Sequence, residues 1–452
     1  MNRFLTVLLC VLLLNTANAF ANDLEFTLHK ITSEIEGPTL LVIGGIQGDE
    51  PGGFTAASML VTDYAVTKGE VWVVPNLNFE SIIKRSRGVH GDMNRKFSEI
   101  SNSDPEFQTI EKIKSIILHE QVDLVLNLHD GSGFYNPTYI DKDENPKRWG
   151  QCIVIDQDAI RVQPYGNMAS LANRAIARAN VHTEDSKAAF RLKNTYTSDG
   201  NKEMAKTLTY FAIQNDKPAM GVEASKAYPT HKRILQHLRF VEAMMDEIGV
   251  EYARSFELSG KSIKNKLGRD IKLAMYNEKI LFDFGQARKK IRFVPMKKRA
   301  PVMFKTNNPL VAIVDHDSQY KVRYGNRSVT TLDPEYFEYD YSLTNAEFVI
   351  DGQAFEVELG TSVKVRNDFS VTPMDGRRIN IIGYRHPEKR NESGLTVKRS
   401  QISSRFSVDK DGDKYRVEFY KGKYYSGMVL VEFSRINQKS ATSAKTNLVQ
   451  LN

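Results

Sequence analysis

A regular alternation of apolar strands and amphipathic helices fills residues 39 to about 250, and it limits the fold more than any other feature. Apolar runs such as Thr39–Ile43, Val122–Leu128 and Cys152–Ile155 have the length and the bounding turns of buried strands. Helical spacing of apolar residues predicts helices between such runs, at Phe54–Ala65, Phe107–Leu118, Met204–Gln214 and His231–Ile248. Alternating strands and helices predict an α/β fold, with a mixed, mostly parallel sheet and helices on both faces.

After about residue 255 the pattern changes to short runs of alternating apolar and polar residues, separated by turn residues such as Asp375-Gly376. This pattern is typical of all-β structure and predicts one or two sandwich-like domains. We therefore expect five segments: a signal peptide at 1–19, an α/β catalytic domain at 20–255, a β-domain at 256–343, a β-sandwich-like domain at 344–438 and a polar tail at 439–452.

The first residues have the pattern of an export signal. Arg3 gives a basic start, Phe4–Leu14 is an apolar run too short to span a bilayer, and Ala17-Asn18-Ala19 is a small-x-small cleavage box. We expect cleavage at the end of this box, a periplasmic location and no transmembrane segment in the mature chain. Loss of Cys10 would leave Cys152 as the single thiol, so no internal disulfide is expected, and Cys152 is expected in the core.

The formal net charge of +7 over 452 residues is modest. It does not indicate nucleic-acid binding, against which export also argues. An anionic substrate, such as a cell-wall peptide with several carboxylates, suits this charge better.

Side chains with the chemistry of a metal site follow three of the expected strands. Gln47 and Glu50 lie in a Gly-rich loop after the first strand, His129 ends a second, and Glu223 ends a third. Ligands of open α/β sheets bind beyond the carboxyl ends of the strands, so these four side chains should share one crevice. A catalytic zinc takes three protein ligands and a water. Gln47, Glu50 and His129 can supply the ligands, and Glu223 can act as general base.

A second motif suggests how a substrate is held. Asn94 and the adjacent Arg95 can bind a carboxylate, the arginine through paired charge-assisted hydrogen bonds. Arg87 lies a little upstream and can stabilise the oxyanion that forms when water attacks a carbonyl. Arg85 is the second choice for that role.

This ordered set resembles the zinc carboxypeptidases of the carboxypeptidase A type. Their pattern is His-x-x-Glu, an Arg, Asp-x-Asn-Arg-Asn-Phe, a ligand His and a catalytic Glu. The corresponding residues here are Gln47-x-x-Glu50, Arg87, Asp92-x-Asn94-Arg95-Lys96-Phe97, His129 and Glu223. The Gln-x-x-Glu variant and the β-domains after the catalytic domain also resemble the peptidoglycan D,L-carboxypeptidases that determine helical cell shape in bacteria.

The resemblance implies one bound Zn²⁺ and the following roles: Gln47, Glu50 and His129 as ligands, Glu223 as base, Arg87 at the oxyanion, and Asn94 and Arg95 at the terminal carboxylate of the substrate. It also implies that Asp92 orients the first ligand. From its chemistry, we expect Asp92 to accept a hydrogen bond from the Gln47 amide. The implied activity trims peptidoglycan tripeptide stems to dipeptides, releasing meso-diaminopimelate from a γ-D-glutamyl bond and influencing cell shape. The β-domains are candidate binding sites for cell-shape proteins.

Gln47 is the main departure, because zinc favours imidazole over an amide oxygen and should bind less tightly here. Two alternatives stay open. A zinc amidase or deacylase of the succinylglutamate desuccinylase type shares the early metal motif, although export and the Asn94-Arg95 pair argue against it. A non-catalytic pseudo-peptidase that binds cell wall is favoured by Gln47 and opposed by Glu223, because a binder needs no general base. Tyr210 is the candidate for the tyrosine that often covers the substrate in this family.

Overall fold

The computed structural model describes residues 19–181, 183 and 185–434; the expected polar tail and, apart from Ala19, the expected signal peptide lie outside these ranges. The helices are α1 (Pro51–Asp63), α2 (Phe79–Lys84), α3 (Phe107–Ile117), α4 (Met168–Asn180), α5 (Leu208–Gln214), α6 (Thr230–Ile248) and α7 (Gly260–Lys266). None of the helices in the described ranges has the length and hydrophobicity that a membrane span requires.

The strands fall into two groups. Those that precede α7 are β1 (Ala19–Phe20), β2 (His29–Thr32), β3 (Thr39–Gly44), β4 (Tyr64–Lys68), β5 (Glu70–Val74), β6 (Leu124–Gly131), β7 (Phe134–Tyr135), β8 (Glu144–Asn145), β9 (Cys152–Ile155), β10 (Arg191–Asn194), β11 (Ala219–Ser225) and β12 (Glu251–Arg254). Those that follow it are β13 (Lys272–Met275), β14 (Ile280–Asp283), β15 (Lys290–Lys297), β16 (Met303–Thr306), β17 (Val311–His316), β18 (Gln319–Tyr324), β19 (Arg327–Phe337), β20 (Asn345–Ile350), β21 (Gln353–Glu358), β22 (Ser362–Val365), β23 (Asp368–Val371), β24 (Arg377–Ile381), β25 (Val397–Lys398), β26 (Lys414–Lys421) and β27 (Tyr424–Phe433).

The largest sheet has seven strands in the order β10-β9-β11-β6-β3-β5-β2. The pairs β10/β9, β11/β6, β6/β3 and β3/β5 are parallel, whereas β9/β11 and β5/β2 are antiparallel. The inner strands β3 and β6 are buried along their whole length, as expected of apolar runs covered on both faces. The predicted mixed, mostly parallel sheet is confirmed. Cys152 is buried in β9, which confirms that it belongs to the core.

Among the described residues, four sheets of four strands each pair into two all-β regions, as predicted. Sheets β1-β16-β13-β14 and β15-β19-β18-β17 share one apolar core, and we call them the central β-region. Sheets β21-β20-β23-β25 and β22-β27-β26-β24 share another, and we call them the C-terminal sandwich. Phe54, Phe79 and Ile82, from α1 and α2, belong to the core of the central β-region. The α/β part and the central β-region are therefore packed directly against each other.

The chain passes twice between the α/β part and the central β-region. At its start, β1 pairs with β16 of the central region, and β2 then pairs with β5 at the edge of the seven-stranded sheet. The chain returns later, from α7 to β13.

Candidate active site

The loop that carries Gln47 and Glu50 joins β3 to α1 and is held close to α2. A Cβ atom on Gly48 would lie 2.0 Å from the carbonyl carbon of Ser81, so only glycine allows this approach. Glu50 immediately precedes α1, but its side chain makes no capping hydrogen bond to that helix. The Glu50 carboxylate faces the end of β6 instead.

Gln47, Glu50 and His129 converge at the ends of β3 and β6. The Nδ1 atom of His129 lies 3.1 Å from Oε1 of Gln47 and 3.0 Å from Oε2 of Glu50. The three residues are only 2, 4 and 6% exposed, respectively. Since β3 and β6 are parallel neighbours, their carboxyl ends bring the loop and His129 to the same edge of the sheet.

The spacing of these donor atoms suits a metal ion. Donors about 2.1 Å from a tetrahedral ion lie roughly 3.4 Å apart. The observed separations from His129 Nδ1, 3.0 and 3.1 Å, are close to that value. Two oxygens and one imidazole nitrogen also form a suitable donor set for a divalent cation. The residues present therefore fit the metal that the resemblance implies.

Asp92 connects two of the expected site residues. Its Oδ1 accepts a 2.8 Å hydrogen bond from Nε2 of Gln47, an arrangement that leaves the Gln47 carbonyl oxygen facing His129. Its Oδ2 accepts a 3.0 Å hydrogen bond from Nε of Arg87. Burial alone would raise the pKa of Asp92, but these hydrogen bonds and the charge of Arg87 hold that pKa below its ordinary value. Asp92 is thus an ionised, fixed acceptor for the Gln47 amide.

Arg87 faces the expected metal ligands and Arg85 does not. Nη1 of Arg87 lies 3.6 Å from Oε1 of Glu50, and half of the Arg87 side chain is exposed. Arg85 follows α2 with a positive φ of 55°, and its Nε donates to the carbonyl oxygen of Asn326. The geometry therefore favours Arg87 over Arg85 as the cation beside the site.

Asn94 and Arg95, which we call the carboxylate grip, lie in a short 3₁₀ helix that follows Asp92. Oδ1 of Asn94 accepts a 3.0 Å hydrogen bond from the backbone N–H of Leu208 at the start of α5. Nε of Arg95 lies 3.4 Å from Oε2 of Glu203, an exposed carboxylate. Because an exposed ion pair contributes little stability, a substrate carboxylate can replace Glu203 as the partner of Arg95.

Glu223 lies on β11 opposite His129 on β6. Its carboxyl group has no hydrogen-bond partner within the described part of the chain. Removal from water raises the pKa of Glu223 to about 8; His129 opposes this shift, while Glu50 and Asp130 add to it. A carboxyl group in these surroundings suits a role in taking up and releasing a proton.

Two other sequence features lie beside the site. Lys96, at the position of the family's second asparagine, forms 2.8 Å ion pairs with Asp104 and Glu106 and so has a structural role. Tyr210 lies in the first turn of α5 and is partly exposed, and no contact of its hydroxyl group to the expected metal ligands is observed among the described residues.

Comparison with family models identifies the family. The model for the catalytic domain of carboxypeptidases controlling helical cell shape matches residues 4–267. The chain belongs to this carboxypeptidase family. The model for the C-terminal domain of metallo-carboxypeptidases matches residues 339–434. The chain is therefore a metallocarboxypeptidase, and the predicted fold and enzyme classes are confirmed.

Solved structures of one bacterial protein are similar to this carboxypeptidase over their full length. The apo crystal structure of cell shape determinant protein Csd4 from Helicobacter pylori is 36% identical, with a TM-score of 0.85, and the match covers 91% of this chain and 100% of that chain. The tripeptide-bound form gives 36% identity and a TM-score of 0.84, with the same coverage. The mDAP-bound form, described as a D,L-carboxypeptidase, gives 37% and 0.84, covering 90% and 100%. A comparison with curated proteins gives no match.

A buried network that sequence reasoning missed lies behind the expected metal ligands. Asp130, at the end of β6, accepts a 2.8 Å hydrogen bond from the backbone N–H of Gly52, and it also contacts Arg233 and His237 of α6. The backbone N–H of Asp130 donates to Oε2 of Glu50 at 3.1 Å. The network thus joins α1, β6 and α6 directly behind the Glu50 carboxylate. The only sequence signal was the spacing of Arg233 and His237 on one face of α6, which does not reveal their partner.

Proposed function

We propose that this carboxypeptidase binds one Zn²⁺ through Gln47, Glu50 and His129 and trims peptidoglycan tripeptide stems to dipeptides. The released residue is meso-diaminopimelate, from a γ-D-glutamyl bond, and the trimming influences cell shape. The observation that carries the proposal is the convergence of two oxygen donors on Nδ1 of His129, within 3.1 Å. The substrate class is supported by the tripeptide and the mDAP that are bound to the similar Helicobacter pylori protein.

The roles of the protein groups follow from their surroundings. Gln47, Glu50 and His129 would hold the zinc, whose charge would polarise the scissile carbonyl and acidify the attacking water. Glu223 takes the proton of that water and passes it to the leaving amine. Arg87 donates hydrogen bonds to the oxyanion as it forms. The carboxylate grip binds the terminal carboxylate and so orients the scissile bond. Asp92 keeps the Gln47 amide turned so that its oxygen faces the other ligands.

We also propose that the chain is exported through cleavage of residues 1–19 and acts in the periplasm, where peptidoglycan stem peptides are found. The domain limits remain those expected from the sequence, with catalysis in 20–255. The β-domains, at 256–343 and 344–438, are proposed to bind cell-shape proteins.

Zinc analysis combined with muropeptide digestion tests the proposed function. We expect wild type to hold one zinc and to convert tripeptide stems to dipeptides. Glu223→Ala should keep its zinc and lose about 10²- to 10⁴-fold in rate, because only the general base is removed. Glu251→Ala, which changes an exposed glutamate on β12, is the control and should match wild type. A wild-type protein that holds zinc but leaves tripeptides uncut contradicts the proposal.

The same preparations distinguish the two alternatives. Hydrolysis of N-acyl amino acids without tripeptide cleavage favours a deacylase. Binding of muropeptides and zinc without hydrolysis of either substrate favours a pseudo-peptidase.

A further inference from the structure

The two oxygen atoms of Glu50 have different surroundings. Oε2 lies 3.0 Å from Nδ1 of His129 and accepts a 3.1 Å hydrogen bond from the backbone of Asp130. Oε1 lies 3.6 Å from Nη1 of Arg87 and 3.3 Å from Nζ of Lys226. Oε2 of Glu50 therefore faces His129, whereas Oε1 faces two cationic side chains, Arg87 and Lys226.

Of these two cationic side chains, Arg87 is assigned to the oxyanion, whereas Lys226 has no assigned role in the reaction. It follows β11, three positions after Glu223, and its backbone N–H donates to the carbonyl oxygen of Gly131 at 2.7 Å. Its ammonium group also lies 3.1 Å from Oδ2 of Asp49, and one third of the side chain is exposed. An ammonium group has three N–H donors, and Asp49 and Glu50 account for two of them. One donor thus remains for a ligand that enters from solvent.

Lys226 and the carboxylate grip are attached to different parts of the site. The grip contacts the start of α5 and Glu203. Lys226 contacts the last residue of β6, Gly131, and the loop that follows β3, at Asp49. Both border the expected metal ligands, because the grip follows Asp92, which binds Gln47, and Lys226 lies 3.3 Å from Oε1 of Glu50. A peptide with its leaving residue in the grip and its scissile carbonyl at these ligands can therefore bring its acyl residue within reach of Lys226.

The acyl residue of the proposed substrate carries a free charge that an ordinary peptide lacks. A D-glutamyl residue linked through its γ-carboxyl group keeps its α-carboxylate free, a few bonds from the scissile carbonyl. We propose that Lys226 binds this α-carboxylate and thereby selects γ-glutamyl substrates. This inference rests on the proposed function and adds a specificity residue to it.

Two substrates that differ in one group test the role of Lys226. One is the tripeptide stem with the free α-carboxylate on D-glutamate, and the other is the same stem with that group converted to a carboxamide. We expect wild type to prefer the carboxylate by about 10- to 100-fold in kcat/KM, the range of a charge-assisted hydrogen bond. Lys226→Met should cleave both substrates with similar kcat/KM, through a higher KM for the carboxylate. Lys226→Arg should restore part of the preference.

The ratio between the two substrates does not depend on how much variant is folded or loaded with zinc, so a weakly stable variant remains informative. The matched control is Lys68→Met, which removes a half-exposed lysine whose 3.7 Å ion pair with Glu251 lies on β4 and β12. The control should keep the wild-type preference. Equal losses on both substrates in Lys226→Met, or no preference in wild type, would overturn the inference. A wild type that cleaves neither substrate would instead refute the proposed function.

Discussion

Charged side chains lie both in the active site and where the C-terminal sandwich meets the central β-region, but their partners differ. In the site, the carboxyl group of Glu223 is left without a hydrogen-bond partner among the described residues. At the other contact, Arg416 and Glu418 are each 1% exposed and form a 3.0 Å ion pair. Arg416 also donates to the carbonyl oxygens of Arg292 and Phe293, on the central side. The base role proposed for Glu223 needs a group with unused hydrogen-bonding capacity, whereas a packed contact needs each buried charge to be paired. Substitutions should therefore affect function in the first region and stability in the second.

The largest expected effect on stability follows from Arg416→Met. This change leaves Glu418 buried without its cation, and breaking such a pair costs about 3–5 kcal/mol. Urea unfolding should show the loss, while tripeptide hydrolysis per folded molecule stays at the wild-type level. Arg405→Met, at an exposed position, is the control, and the double variant Arg416→Met/Glu418→Leu should recover most of the stability. An unchanged unfolding midpoint for the single variant would contradict the comparison.

The substitution Asp92→Asn in the candidate site should instead change function and leave stability almost unchanged. The amide of Gln47 loses its charged acceptor, so zinc affinity should fall roughly 10- to 100-fold while the melting temperature changes little. Titration against a chelator of known affinity measures the change. Asp104→Asn, which removes a carboxylate bound to Lys96, is the control and should leave zinc affinity unchanged. Equal zinc affinity in wild type and Asp92→Asn would show that Asp92 does not orient Gln47.

Gln47→His should have a smaller effect in the other direction. Imidazole is a better zinc ligand than an amide oxygen, so we expect affinity to be kept or to rise, by at most about tenfold. The same chelator titration applies, with the surface change Gln157→His as control. A complete loss of zinc would remove Gln47 from the ligand set.

The smallest expected effect is a pH-dependent loss of stability at Asp340, between the central β-region and the C-terminal sandwich. Although burial opposes it, hydrogen bonds from Ser342, Arg377 and Ser426 hold the pKa of Asp340 well below its ordinary value. The stabilisation is therefore complete above the unfolded pKa of about 4 and is lost as the pH falls toward the lower folded pKa. Asp340→Asn should cost about 1 kcal/mol at neutral pH and flatten the stability profile below pH of about 4. Denaturant titrations at several pH values measure this profile, with Asp317→Asn as the exposed control. A profile for Asp340→Asn that still falls below pH of about 4 as in wild type would contradict the prediction.

Hydrophobic pattern alone predicted most of the α/β part, and its failures have physical causes. The strand Cys152–Ile155 has the predicted bounds. The edge strand Arg191–Asn194 was missed because it has one apolar residue and all its positions are partly exposed. The helix predicted at Met204–Gln214 begins instead at Leu208, because Thr207 has an extended backbone and caps α5 with its side chain. Local polar contacts of this kind do not alter the apolar pattern.

In the candidate site too, the residues that follow apolar runs could be predicted, whereas those defined by contacts in space could not. Gln47, His129 and Glu223 could be found because each follows an apolar run, and parallel strands bring such ends together. Asp130 and Lys226 could not be assigned partners, because their contacts depend on how α6 and the Gln47 loop approach β6 and β11 in space. Spacing along the chain does not encode that approach.

The double passage between the α/β part and the central β-region has a mechanical consequence. A domain that is joined to its neighbour by a single segment of chain can rotate in every direction. Here the segment between β1 and β2 and the segment between α7 and β13 both join the central β-region to the α/β part, and Phe54, Phe79 and Ile82 also pack into its core. Each further attachment removes part of that freedom, so we expect the central β-region to follow the catalytic sheet in any motion.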